Sequence, residues 1–229
     1  MIRNLKCILA AIVGVLAVWT VGGGLSAARA QMEPTRQMIE KILDQIEKRY
    51  AGPGFAAGFY QESTLKEMDI TDSASGKVFV KRPGKMRWEY NQPDVQIIIT
   101  DSERLWIYRP DDNQVMVGEA PVYFGGGKGA SFLSDMKSIR KSFKIRDQIV
   151  DTDQAYVLKL VPLQKMVDIM DIYLTVSKKT FEIEKIVTFN SYGDRTRIHL
   201  SHFDFSRVLD DDMFRFTIPK GVDVLKLEP

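Results

Sequence analysis

The sequence predicts an α+β fold, mainly antiparallel β, in one domain. Three observations carry this expectation. Apolar residues recur at helical spacing only in two short stretches, near residues 38–50 and 132–139. From Phe55 onward the apolar period is two. Turn residues then punctuate the chain at short intervals, as in a meander of neighbouring strands.

The first element is a secretory signal over residues 1–30. Arg3 and Lys6 form its positive flank, an apolar run extends from Cys7 to Val21, and Gly22, Gly23 and Gly24 are expected to break the helix. Ala28-Arg29-Ala30 supplies a small-x-small cleavage pattern. The apolar run is short for a membrane span, which needs about 20 residues. The expected organisation is therefore a cleaved signal at 1–30 and a single exported domain at 31–229. Cys7 is the one cysteine and lies inside the signal, so the mature chain has no disulfide chemistry and no cysteine ligands for a metal. The signal also holds three of the 32 bases and no acid, which leaves 29 bases against 30 acids, a net of −1. Such a balance lacks the basic footprint of a nucleic-acid binder.

After the signal, Met38, Ile39, Ile42, Leu43, Ile46 and Tyr50 mark an amphipathic helix with Thr35 as its candidate cap and Gly52-Pro53-Gly54 as its stop. Strands are expected at 55–66, 76–81, 85–90, 95–100 and 104–108, with a polar turn over Asp69 to Ser75. Gly125 to Gly129 reads as a flexible leader into a short helix carrying Phe132, Leu133, Met136 and Ile139 on one side. A second set of strands follows at 143–150, 156–161, 169–176, 183–190, 195–205 and 214–218.

The strand at 85–90 alternates cleanly. Met86, Trp88 and Tyr90 share one face, and Lys85, Arg87 and Glu89 share the other. Val95, Ile97 and Ile99 share a face of the next strand, and Trp106 and Tyr108 lie opposite Leu105 and Ile107 on the one after. These side chains either fill an ordinary core or line a hollow in a curved sheet that holds a ligand.

Catalytic constellations are weak. His199 and His202 fall on opposite faces of one strand, and Ser201 and His202, being adjacent, are expected to face apart. There is no Gly-x-Ser-x-Gly elbow. Gly127-Lys128 fails as a phosphate loop, because Val122 stands where the first glycine belongs and Gly129 where a hydroxyl residue belongs. Asp210-Asp211-Asp212 lacks calcium-loop spacing and reads as a solvated turn. No catalytic residue, metal or cofactor is assigned.

One block of sequence is more specific. Gly76 to Tyr90 (GKVFVKRPGKMRWEY), Gln92-Pro93, Ile99-Thr100-Asp101, Leu105 to Pro110 and Gln114-Val115 together resemble the outer-membrane lipoprotein carrier protein (LolA) family of Gram-negative bacteria. The first helix, Phe59-Tyr60-Gln61 and the Phe214 to Gly221 ending extend the resemblance over nearly the whole mature chain.

The resemblance implies an incomplete, strongly curved antiparallel β-barrel with helices covering its open mouth, located in the periplasm and without a catalytic centre. Its implied partners are triacylated outer-membrane lipoproteins, an ATP-driven inner-membrane transporter that loads the carrier, and an outer-membrane receptor lipoprotein that unloads it. A monomer is expected. Arg82 is implied as the residue that locks the lid by bonding to helix carbonyls. The candidates for an acyl cavity are Met86, Trp88, Tyr90, Ile97, Ile99, Trp106, Phe132 and Leu133. Met86 stands where the family commonly has an aromatic, and the glycine-rich segment also departs from the family pattern. Two other readings share the sequence: a phospholipid or glycolipid shuttle or lipoprotein-sensing regulator of the same fold, and a hydrolase built on Ser201 and the histidines.

Overall fold

The computed structural model describes residues 23–227. Most of the expected export signal, residues 1–22, lies outside the described residues. The first helix, α1 (Gly23–Arg49), starts well before the expected Thr35 cap and runs through Ala28-Arg29-Ala30. Gly23 and Gly24, expected to break a helix, are helical, because the alanines, glutamine, methionine and glutamate that follow are strong helix formers. Its apolar stripe is the expected one: Ile39, Ile42, Leu43 and Ile46 are buried, as is Tyr50 just beyond the helix end.

Twelve strands form a single open, curved sheet. In chain order they are β1 (Gly54–Leu65), β2 (Ile70–Lys81), β3 (Lys85–Gln92), β4 (Gln96–Thr100), β5 (Arg104–Arg109) and β6 (Gln114–Glu119). The second set is β7 (Phe143–Asp151), β8 (Ala155–Pro162), β9 (Asp171–Ser177), β10 (Ile183–Phe189), β11 (Arg195–Asp204) and β12 (Asp223–Lys226). The spatial order is β12-β6-β5-β4-β3-β2-β1-β11-β10-β9-β8-β7. The two meanders therefore meet at β1 and β11, and β7 and β12 are edges, so the barrel does not close. Every pairing is antiparallel except β12 on β6.

Between β6 and β7 run α2 (Ala120–Phe124), a 3-10 segment (Gly125–Ser134) and α3 (Ser138–Ser142). The 3-10 segment packs on β2 and β3, while α1 and α3 pack on β7. All three contribute to one large core on the same sheet face, where Phe132, Leu133, Met136 and Ile139 meet Ile42, Ile46, Val78, Leu158 and Leu174. The opposite face is covered by the C-terminal segment. There Phe214 packs on Ala56, Phe79 and Leu209, and Phe216 packs on Ile99, Trp106 and Val115.

Two expected elements are corrected. Of the expected turn over Asp69 to Ser75 only Asp69 lies in a turn, with φ 52°; Ile70 to Ser75 belong to β2, whose polar residues pair with an equally polar stretch of β1 in solvent, and the Thr64 and Thr71 hydroxyls lie 2.9 Å apart across the pair. The stretch at 214–218 is not a strand. Its alternating phenylalanines come from an extended chain lying on the sheet face, with side chains docked and no ladder hydrogen bonds.

Candidate functional site

The pairing of β3 with β4 decides which aromatic and branched residues face the helices. Trp88 stands opposite Ile98, Met86 opposite Thr100, and the outward Arg87 opposite Ile99. Trp88 and Ile98 therefore share the helix-covered face, whereas Ile97, Ile99 and Trp106 belong to the opposite one. In the other half of the sheet Ile186 pairs with Ile198 and Thr188 with Thr196. Gln61 of β1 sits between the halves, opposite Ile198.

These residues enclose a cavity of about 230 Å³, walled by Gln61, Trp88, Tyr90, Ile98, Ile186, Thr188, Thr196 and Ile198 and roofed by Ala130 of the 3-10 segment. Phe59 fixes the aromatic wall, with its ring edge-on to Trp88 at 5.0 Å and to Tyr90 at 4.9 Å between centroids. The Tyr90 hydroxyl donates to Gln61 Oε1 at 3.2 Å, and burial pushes its pKa up to about 12, so the phenol stays neutral. A separate pocket of about 140 Å³ lies between Met86, Thr100, Ala120 and Ser134.

Of the eight sequence candidates, Trp88 and Tyr90 line the larger cavity and Met86 the smaller one. Phe132 and Leu133 are buried in the core beside Ala130 without lining either. Ile97, Ile99 and Trp106 are corrected to the outer face, beneath Phe216. Sequence reasoning missed Ile98, Ile186, Ile198, Thr188 and Thr196. Ile98 could have been found by carrying the phase of Trp88 across the hairpin; the β10–β11 residues required knowledge of which strands become neighbours.

Two arginines join the roof to the rest of the molecule. Arg82, in the β2–β3 turn, donates from Nη1 to the Gly52 carbonyl at 2.6 Å and from Nη2 to the Leu133 carbonyl at 3.2 Å. It thus ties the end of α1 to the 3-10 segment. Burial lowers its pKa, while the nearby Tyr50 and Asp135 act against that shift. Arg140 of α3 was not singled out from sequence. Its guanidinium reaches Glu47 at 2.7 Å, Asp44 at 2.5 Å and Glu40, all on α1. Burial acts to lower the Arg140 pKa, but its hydrogen bonds to Glu47 and Glu40 outweigh that and raise the value.

The other sequence candidates sit elsewhere. Ser201 and His202 do not face apart: His202 has a left-handed backbone (φ 54°) beside an irregularity in the β1–β11 register, which brings its Nδ1 within 2.9 Å of Ser201 Oγ. Both residues are exposed. The acidic run is more ordered than expected. Asp210 caps a 3-10 turn (Asp211–Phe214), and Asp211 bonds Lys85 at 2.7 Å and Lys81 at 3.0 Å. Among the described residues no cluster of three metal-ligating side chains occurs, and no helix is long and apolar enough to cross a membrane.

An open, curved antiparallel sheet with one face roofed by helical segments over a half-open, largely apolar cavity defines a half-barrel. Within that class the chain belongs to the outer membrane lipoprotein carrier protein LolA family, whose model matches residues 53–217. It is 31% identical to an outer-membrane lipoprotein carrier protein of Nitrosomonas europaea, over 75% of this chain and 82% of that one. It is 30% identical to the protein of the same name from Methylobacillus flagellatus, over 74% of this chain and 80% of that one. The fold is shared with an uncharacterized conserved protein from Thermus thermophilus, at a TM-score of 0.54 and 14% identity over 83% of this chain and 99% of that one.

Proposed function

We propose that the protein is a non-enzymatic periplasmic carrier that shields the acyl chains of lipoproteins in the cavity beneath the 3-10 roof. It receives them from an inner-membrane transporter and passes them to an outer-membrane receptor. The observation that carries this reading is the apolar cavity bounded by Trp88, Ile98, Ile186 and Ile198 and closed by Ala130, in a chain of the lipoprotein-carrier family.

The physical need is plain. Each methylene removed from water is worth about 0.8 kcal/mol, so three long acyl chains crossing an aqueous space unshielded would cost on the order of 30 kcal/mol. At about 230 Å³ the cavity is smaller than the roughly 300–1,000 Å³ typical of drug-sized ligand sites. Loading therefore requires the roof to move outward against its core packing through Phe132 and Leu133; the polar contacts that oppose this are Arg82 on the Leu133 carbonyl and, in the adjoining α3, Arg140 on α1. A closed, collapsed empty state also favours release, since the protein regains its own packing when cargo leaves.

Depleting the protein in its host, together with native mass spectrometry of the purified carrier, tests the proposal. The expected results are lipoproteins retained at the inner membrane and a carrier mass that includes a lipoprotein. Normal outer-membrane delivery after depletion would overturn it, and extracted lipid without attached protein would transfer the role to a lipid shuttle.

A further inference from the structure

The cavity lies toward one end of the sheet. Thr188 and Thr196, which line it, are the last residue but one of β10 and the second residue of β11. Ser63 of β1 pairs with Thr196, and the next position on the same face of β1, the face of Gln61, is Leu65. Leu65 pairs with Ile70 across the β1–β2 hairpin, and the two are 39% and 46% exposed. Apolar side chains thus continue past the lining of the cavity into solvent. The neighbouring turns add to them. Met68 in the β1–β2 turn, Tyr192 in the β10–β11 turn, and Val167 and Met170 in the β8–β9 loop are all between 51% and 66% exposed.

Hydrogen bonds join these turns into one rim. The Lys66 main-chain N–H donates to Asp194 Oδ1 at 2.9 Å, which ties the β1–β2 turn to the β10–β11 turn. The Ser191 N–H donates to the Val167 carbonyl at 2.9 Å and the Met170 N–H to the Phe189 carbonyl at 2.7 Å, which tie the β10–β11 turn to the β8–β9 loop. Asn190 braces the middle turn from within, its Oδ1 accepting from the N–H groups of Tyr192 at 3.0 Å and Asp194 at 2.9 Å. Gly193 takes φ 83° there, and a side chain on it would strike Lys66. Tyr192 therefore sits on the middle of three braced turns, in a rim shaped before any ligand arrives. An exposed apolar surface of this kind marks a contact site.

We infer that this rim is the outer part of the cargo site, where acyl chains that the cavity does not hold lie across Leu65, Met68, Ile70, Val167, Met170 and Tyr192. This deepens the carrier reading and rests on it. Size calls for such a surface, because a half-open cavity of about 230 Å³ is small even for one drug-sized ligand and the cargo brings three long chains. Continuity supplies it, since a chain leaving the cavity past Gln61 and Thr196 meets Ser63 and then Leu65 and Ile70 on the same face. Charge separates acyl chains from a bilayer surface. The turns at 65–70, 163–170 and 190–194 carry Glu67, Asp69, Asp168 and Asp194 against Lys66 and Lys165, and Asp72, opposite Ser63, adds another acid. A negative margin repels anionic headgroups and free fatty acids and leaves neutral acyl chains unaffected. The two methionines adapt to irregular chain contacts, and Tyr192 offers a large apolar ring.

The test uses the purified carrier and two fluorophore-tagged lipopeptides of equal chain length, one monoacylated and one triacylated. Combining Met68→Ser, Val167→Ser and Tyr192→Ser should lower the ratio of triacyl to monoacyl affinity about ten-fold, as apolar contact area is lost from the rim. All three side chains are exposed, so the variant should fold. A second measurement needs no variant. A triacylated lipopeptide with a diazirine on its chains should label wild-type protein within 65–70 or 190–194, whereas the monoacylated form should label the cavity wall. An unchanged ratio, an equal loss of affinity for both probes, or triacyl labelling confined to the cavity wall would each overturn the rim as a cargo subsite and leave the cavity reading intact. Rim-dependent sedimentation of the empty protein with phosphatidylcholine vesicles would assign the rim to a membrane surface, and rim-dependent dimerisation would assign it to a second copy of the chain. Either result also overturns the subsite. Failure of wild-type protein to bind either probe would overturn the carrier reading itself.

Discussion

Arg82 and Leu133 are joined by a hydrogen bond from the guanidinium Nη2 to the main-chain carbonyl, 3.2 Å long, and the other terminal nitrogen of the same fork holds Gly52. Replacing Arg82 with leucine leaves both carbonyls without their donor. The expected loss is about 1–3 kcal/mol, with the roof affected first. Hydrogen exchange should report faster opening in residues 130–136 than in β8 and β9, together with a lower urea midpoint. Arg82→Lys should recover only part of the loss, because an ammonium lacks the planar fork that serves two acceptors at once. Unchanged exchange in the roof would remove Arg82 from the lid.

Arg140 binds α3 to three carboxylates on successive turns of α1. Its side chain is 28% exposed, so solvent screening limits the network to about 1 kcal/mol, more than an isolated surface pair usually provides. Arg140→Ala should lower the melting temperature by about 2–4 °C at low salt. The difference should shrink in 0.5 M salt, where exposed charges are screened. A deficit that is the same at both salt concentrations would show that the arginine acts through packing of its stem and not through charge.

What the sequence revealed depended on whether residues alternate. Lys85 to Tyr90 places a charge at every second position, so its phase was readable and the inward Met86 and Trp88 followed. Ile97-Ile98-Ile99 is apolar on both faces, and both faces are in fact covered, one by the cavity and one by Phe216. No alternation exists there to read, and the inward residue is the middle one. Strand β6 contains Gly118, and β12 is short and exposed, so neither stands out until the long-range pairing is known. The acidic stripe Glu40, Asp44 and Glu47 was visible in α1, but its partner lies nearly a hundred residues away. Arg82 came from the family pattern, since an arginine in a turn carries no signal of its own.

Asp211 gives the fold a pH-dependent contact. Hydrogen bonds from Lys85 and then Lys81 hold its carboxyl down to about 2, against an ordinary value of 3.8. A depressed acid stabilises the folded state above its unfolded pKa, and that contribution disappears as pH falls through the folded value. The contact should therefore be at full strength above about pH 4 and weaken toward pH 2. Urea unfolding at pH 5 and pH 2 should show a smaller loss on acidification for Asp211→Asn than for wild type. Identical losses would mean that the two lysines do not hold the aspartate in solution.

The placement of Ile98 and Trp106 on opposite faces separates cargo binding from stability. Ile98→Trp adds bulk to the cavity wall beside Trp88, and should sharply reduce uptake of an acyl probe with a modest change in stability, because the added ring enters space that is open in the empty protein. Trp106→Ala removes the side chain that packs against Phe216, with ring centroids 6.3 Å apart, and leaves a gap beneath the C-terminal segment. It should cost about 3–5 kcal/mol, as for other large aromatic truncations in packed sites. Measured at a temperature where it remains folded, it should still take up the acyl probe. If Trp106→Ala abolished uptake and Ile98→Trp did not, the ligand would lie on the face now assigned to the C-terminal segment, and the cavity between β3 and β10 would have no part in carrying it.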